Sequence, residues 1–228
     1  MSEYTLNQAT INKNFKKRVI VIDDFYENPD YVREFALKQN LELHPDNHKG
    51  YRTEDRFFAP HMKEAFERIM EAPILNWYDG PYCNGVFQYC TSKDPLVYHC
   101  DQQDWAGAVY LTPNAPYDCG TSLFASKLTG ARDGKAPDFN YDKVFPSPCH
   151  PSPKTSVLAT RDTDGGAFFE DYVPFLDSTI FEKVDDIGNV YNRLVLWDAQ
   201  LIHAASKYFG NDRYDSRLFH LFFFNIEK

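Results

Sequence analysis

The stretch "LVYHCDQQDWAGAVYLT", residues 96–112, holds two strand-like pieces on either side of a polar turn. Its reading decides the fold. Residues 96–101 and 105–112 are short runs rich in aromatic and β-branched side chains, which favour a pleated, half-buried surface. Side chains along a strand alternate between faces, so residues i and i+2 share one. His99 and Asp101 therefore point the same way and Cys100 the other. The Cα atoms of such a pair lie roughly 6.5–7 Å apart, close enough for both heads to converge on one ion.

Outward from this stretch the pattern repeats. Strands are expected at 85–91 ("GVFQYCT") and 120–126 ("GTSLFAS"), set off by turn signals such as "SKDP" and "PNAPYDCG". A segment of roughly 127–180 is then heavy in Pro, Asp and Gly, and reads as a long irregular insert, taken to end near 187. Strand signals resume at 192–199 ("NRLVLWDA"), 201–206 ("LIHAAS") and 217–226 ("RLFHLFFFNI"). Upstream, "RVIVIDDF" (18–25) reads as a buried strand. "NPDYVREFALKQN" reads as a helix with Asn28 as N-cap and Pro29 at its first position. A second helix follows "AP" at 59–60, with Met62, Ala65, Phe66, Ile69 and Met70 on one stripe. Many short strands with close turns imply an antiparallel sandwich or barrel. The expectation is one domain over 1–228, with a strand and supporting helices in 1–83 and a β core in 84–228.

Composition fits that frame. Of 228 residues, 43% are hydrophobic, enough for a core, and the 19 Phe and 15 Tyr favour a β-rich one. A formal net charge of −9 argues against a nucleic-acid partner, because no basic stripe is available for phosphate contact. No apolar run approaches the roughly 18–20 residues that span a bilayer, so no membrane partner is expected. The N-terminal "MSEYTLNQAT" lacks the basic and apolar regions of a signal peptide, and the five cysteines are scattered without a CxxC. Reduced thiols and a cytoplasmic location are the expectation.

His99 and Asp101 need a third partner. His203, in "LWDAQLIHAAS", follows an apolar strand and a turn and can lie on a neighbouring strand. Two histidines and one carboxylate form the facial triad of non-haem Fe(II) sites, which leaves cis positions open. Farther on, Arg217 opens the last strand. An arginine in an apolar strand is costly to bury unless an anion meets it. Its fork suits a carboxylate ligand, although Asp212 or Asp215 would serve as partners equally well.

In this order of elements the C-terminal part, roughly 85–226, resembles the Fe(II)/2-oxoglutarate-dependent oxygenases, the prolyl-hydroxylase-like branch in particular. The pieces that carry the resemblance are "FQY", "HCD", "AVYLT", "CGTSLF", "NRLVLWDAQLIH" and "RLFHLFFF". "RVIVIDDFYENPDYVREFAL" is similar to the entry region of uncharacterised bacterial and phage members. The resemblance implies a mainly β fold with supporting helices, a cupin-like double-stranded β-helix or jelly roll. It implies iron held by His99, Asp101 and His203, and Arg217 paired with the distal carboxylate of 2-oxoglutarate. Tyr110 looks like the tyrosine that assists at that carboxylate, and Tyr89 like one near the keto-acid end. Arg213 is the alternative anchor. The implied activity is hydroxylation of a C–H bond of an amino acid, peptidyl residue or small metabolite, using O₂ and yielding succinate and CO₂. A metal-dependent cupin-type enzyme that does not use 2-oxoglutarate, and a non-catalytic jelly-roll binding module, stay open as alternatives.

Other residues have plainer readings. His44 and His48, Cys149-His150, and the acidic turn "RDTDGG" (161–166) each lack the further ligands a metal site needs. His220 is expected on the face opposite Arg217, Trp105 and Trp197 in the core or as the floor of the pocket, and Arg52 and Arg56 as ion-pair partners or substrate contacts.

Overall fold

The chain threads back and forth between two antiparallel sheets. It is seen in a computed structural model that describes residues 17–43, 50–81, 83–146, 160–161, 167–168 and 177–228. Strand β1 is Val19–Ile22, helix α1 Pro29–Leu37, β2 Leu41–Leu43 and β3 Tyr51–Thr53. Helix α2 is Met62–Met70, β4 Phe87–Cys90, β5 Trp105–Tyr110 and β6 Thr121–Ser126. Then come α3 at Tyr141–Val144 and the two-residue strands β7 (Thr160–Arg161) and β8 (Ala167–Phe168). Strands β9 (Phe181–Ile187), β10 (Leu194–Asp198), β11 (His203–Ala205) and β12 (Arg217–Phe224) finish the frame.

The large sheet runs β1-β10-β5-β12-β4-β3-β2 and the smaller one β11-β6-β9. An isolated antiparallel bridge, His99↔His203, lays the segment around His99 beside β11. Followed along the chain, the path alternates between the sheets: β4, the His99 segment, β5, β6 and β9, β10, β11, β12. Eight strand positions wound this way make a jelly roll, the double-stranded β-helix. The fold is mainly β with supporting helices.

Alternation along the strands sorts the core by face. Leu194 and Leu196 of β10 join Leu218, Phe222 and Phe224 of β12 on the outer face of the large sheet, packed with Phe66 of α2 and Ala36 of α1. Ala106 and Ala108 of β5, Val195 and Trp197 of β10, and Phe219 and Leu221 of β12 line the inner face. Helix α1 begins where Asn28 Oδ1 accepts from the Tyr31 amide at 3.1 Å, with Pro29 at its first position. Helix α2 buries Met62, Phe66 and Met70 along one stripe. A third cluster on the outside of the small sheet joins Tyr98, Phe124 and Phe181 to Val144 of α3 and Phe145.

Three features depart from the sequence reading. The run at 96–101 forms no continuous strand; it holds isolated bridge positions at Tyr98 and His99, the latter opposite His203 of β11. Strand β1 is an edge strand with Val21 44% exposed, not a buried one. Phe181–Ile187, read as the end of the insert, is the outer strand of the small sheet and pairs with β6 along its length. Its five central residues are exposed and mostly charged, which suits a sheet edge that must not pair with another chain.

Candidate metal centre

The two histidines meet because their backbones pair. His99 N donates to His203 O at 3.1 Å and His203 N donates to His99 O at 2.9 Å. Two residues that exchange both bonds stand directly opposite each other and aim their side chains to the same side. The imidazole centroids are 4.2 Å apart. Asp101 is set by its amide, which donates to Ala199 O at 2.8 Å, and by its carbonyl, which accepts from Gln200 Nε2 at 2.6 Å. His99 Nε2 lies 3.6 Å from Asp101 Oδ1, and His203 Nε2 lies 3.2 Å from Oδ2. One ligand atom from each residue falls within 4.8 Å of the others.

The tautomers follow from the partners. His99 Nδ1 is 3.1 Å from Val97 O and His203 Nδ1 is 2.8 Å from Leu201 O. A carbonyl only accepts, so each Nδ1 carries the proton and each Nε2 of the neutral ring presents a lone pair. Burial and the nearby His203 push His99 down to about 4, which keeps its imidazole neutral at neutral pH. Burial pushes the Asp101 carboxyl up, while the two imidazoles, whenever they are protonated, and the Arg52 charge draw it below the usual range. Asp101 Oδ2 is buried and has no hydrogen-bond partner among the described residues. Two lone pairs and a carboxylate thus converge on one point with nothing positive between them. Such a donor set, each ring held from behind by a carbonyl, fits a divalent metal with open positions.

Arg217 lies on the inner face of the large sheet and is only 4% exposed. Its Nε donates to Cys119 O at 3.0 Å and its Nη2 to Gly120 O at 3.2 Å, with Thr121 Oγ1 at 3.4 Å. Its guanidinium lies 4.4 Å from the Phe219 ring centroid and 5.1 Å from that of Tyr110. Among the described residues no carboxylate pairs with it, so neither Asp212 nor Asp215 fills the role the sequence left open. Asp215 instead accepts from the amides of Asn211 and Asp212. Tyr110, fully buried, has its hydroxyl 2.8 Å from Thr121 Oγ1, so Tyr110, Thr121 and Arg217 form one polar group.

Tyr89 is elsewhere. In the register, Arg217 faces Cys90 and Leu218 faces Tyr89, so Tyr89 belongs to the outer face. Its ring stacks on Tyr51 at 4.7 Å, within the helix-side core. Arg213 is also outside, with Nη1 3.4 Å from Leu37 O. The inward neighbours on β4 are Gln88 and Cys90. Two further inner-face residues, both weighed in the sequence, receive a place here. Trp197 has its ring 5.2 Å from that of His203, and its buried Nε1–H has no acceptor among the described residues. Arg52 reaches Gln88 Oε1 through Nε at 2.7 Å. Trp105 packs on the helix side. His44, His48, Cys149, His150 and residues 162–166 lie outside the described residues.

No family model matches the chain, and no curated protein does. Among solved structures it is similar to HygX from Streptomyces hygroscopicus with nickel and 2-oxoglutarate bound. The identity is 12% and the TM-score 0.48, over 98% of this chain and 88% of that one. It is also similar to a prolyl hydroxylase from Trichoplax adhaerens in complex with a hypoxia inducible factor peptide, at 12% identity and TM-score 0.41, over 96% and 86%. A third is YcfD, a ribosomal oxygenase from Escherichia coli, with cobalt and 2-oxoglutarate, at 11% identity and TM-score 0.39. That match covers 98% of this chain and 53% of the other. No helix among the described residues is long and apolar enough to cross a membrane.

Proposed function

We propose that the protein is an Fe(II)- and 2-oxoglutarate-dependent oxygenase that hydroxylates a C–H bond of an amino acid, a peptidyl residue or a small metabolite, using O₂ and releasing succinate and CO₂. One observation carries the reading. A two-histidine, one-carboxylate cluster with its lone pairs turned inward shares a barrel with a buried arginine that has no acidic partner among the described residues. An arginine left this way is the complement of a ligand that brings its own carboxylate.

His99 Nε2, His203 Nε2 and Asp101 would hold the iron, and the carboxylate offsets part of its charge. When bound, the metal supplies oxygen activation coupled to decarboxylation of the keto acid. The chain's part is placement. Arg217 receives the distal carboxylate, with the hydroxyls of Tyr110 and Thr121 beside it as donors. Phe219 and Tyr110 shield that guanidinium from water, which strengthens its pairing. Val97 O and Leu201 O hold the rings in the ligating tautomer. Because Asp101 occupies the carboxylate position, no ligand place is vacated for halide, and hydroxylation is favoured over halogenation.

The test is anaerobic titration of Fe(II) and then 2-oxoglutarate, followed by succinate release in air. One iron per chain should bind, and 2-oxoglutarate should bind only after metal. Arg217→Ala should weaken 2-oxoglutarate by roughly 10–150-fold, the loss of a charge-assisted pair of about 1.5–3 kcal/mol. Unchanged 2-oxoglutarate affinity in that variant would overturn the reading.

A further inference from the structure

The inner face of the large sheet carries a second arginine, more exposed than Arg217, whose role the chemistry above does not use. Gly50, at φ +72°, turns the chain so tightly against β4 that a Cβ there would lie 2.3 Å from Tyr89 O. That turn starts β3, which pairs with β4 in the register Tyr51↔Tyr89 and Arg52↔Gln88. Gln88 pairs in turn with Phe219, and Phe219 with Tyr110. Directly opposed residues share a face. Arg52, Gln88, Phe219 and Tyr110 therefore form one row across the inner face, next to the row that holds Cys90 and Arg217.

Arg52 is half-buried and held by its Nε bond to Gln88 Oε1. Its two terminal nitrogens make no hydrogen bond or ion pair with any described residue. Glu42 stands opposite it on β2, yet Glu42 is engaged by the Asn40 side chain and no ion pair forms across the ladder. Burial pushes the inner-face thiol of Cys83 up to about 11, the Arg52 charge acts against that and the Asp101 charge adds to it.

We propose that Arg52 anchors the substrate, and that the substrate is a small acid presenting a carboxylate to the free end of this guanidinium. The inference rests on the oxygenase reading, which supplies the reaction. With Nε engaged, the terminal Nη1 and Nη2 offer an end-on fork that matches a planar carboxylate. A phosphate ester would call for further donors, and this row brings one fork. An anchored carboxylate fixes one end of the substrate relative to Asp101 and the histidines, and so selects which carbon faces the metal position.

The experiment uses the full chain loaded with Ni(II) and saturating 2-oxoglutarate. It is titrated with free L-amino acids and N-acetyl amino acids, with the carboxamide of each, and with O-phosphoserine, by calorimetry. Some free acids should bind at least about tenfold tighter than their amides, as expected for a charge-assisted pair. Arg52→Gln should abolish that preference and leave 2-oxoglutarate affinity unchanged, with Arg52→Lys in between because it keeps the charge and loses the fork. In air with Fe(II), the binding acids should stimulate succinate release, and Arg52→Gln should raise their KM more than it lowers kcat. The proposal falls if no acid binds, if acid and amide bind alike, if phosphoserine binds tightest, or if Arg52→Gln keeps the preference. Failure of the wild-type protein to bind 2-oxoglutarate at all would count against the oxygenase reading instead, since the acid–amide comparison can be run on the metal-loaded chain without it.

Discussion

The two faces of β12 bury polar groups for opposite ends. On the inner face, Arg217 is charged, ringed by Phe219 and Tyr110, and bonded among the described residues to neutral oxygens. On the outer face, His220 is wedged against Phe87 and Phe222, with ring centroids at 4.2 and 4.5 Å, and shares one hydrogen bond of 2.7 Å with the Tyr26 hydroxyl. Burial pushes His220 down to about 4, so the outer face holds it neutral. One side of the strand is packed as a core, and its unpaired polar atoms, His220 Nε2 and Trp77 Nε1, belong to neutral rings. The other carries a fixed charge and, across the barrel, a carboxylate oxygen with no hydrogen-bond partner among the described residues. A neutral polar atom left unpaired in a core costs far less than a buried charge without a counter-charge.

The sharpest way to break this contrast is Phe222→Ala. The ring is fully buried among Phe66, Trp77 and His220, and its removal should cost about 3–5 kcal/mol in denaturant melts. Iron stoichiometry of the fraction that stays folded should not change. Asp101→Ala should do the reverse. Iron affinity should fall by about a hundredfold or more, read by competition with a chelator, while the metal-free protein loses under about 1 kcal/mol. A large loss of apo stability in Asp101→Ala would erase the distinction between the faces.

Acid titration sharpens it further. His220 titrates at 6.5 when unfolded and about 4 when folded, so the unfolded chain takes up the proton first. Stability should therefore fall as pH drops from about 6.5 toward 4, by up to about 3 kcal/mol from this group. In His220→Phe that component of the pH dependence should vanish from urea melts. The smallest effect is expected at Asn28→Ala, which removes the α1 cap, costs about 1 kcal/mol and leaves 2-oxoglutarate binding unaltered.

The same contrast explains what the sequence could tell. Outer-face and helix residues announce themselves by period, so α1, α2, β5, β10 and β12 were legible from their apolar patterns. Strand β9 was not, because "FEKVDDI" lies at an edge and hides its pairing behind exposed charges. His99, Asp101 and His203 were legible as chemistry, since their residue types match one donor set. Their meeting depends on a single bridge that no local pattern encodes. Tyr89 was assigned a site role that its strand cannot give it. The side it faces is fixed by the β4–β12 register, and a register slip of one residue exchanges the faces. Arg52 was visible as a plausible contact but had no address until β3, only three residues long, was seen to pair with β4.

The His99–His203 bridge has a last consequence. The amides that align the two imidazoles are donors in the same pair of backbone bonds, so the site cannot be disassembled without freeing both to solvent. Deuterium uptake at just these two amides becomes a gauge of how often the barrel springs open at its ligand end. Any molecule that clasps the two strands together should slow that uptake, whether or not it is ever turned over.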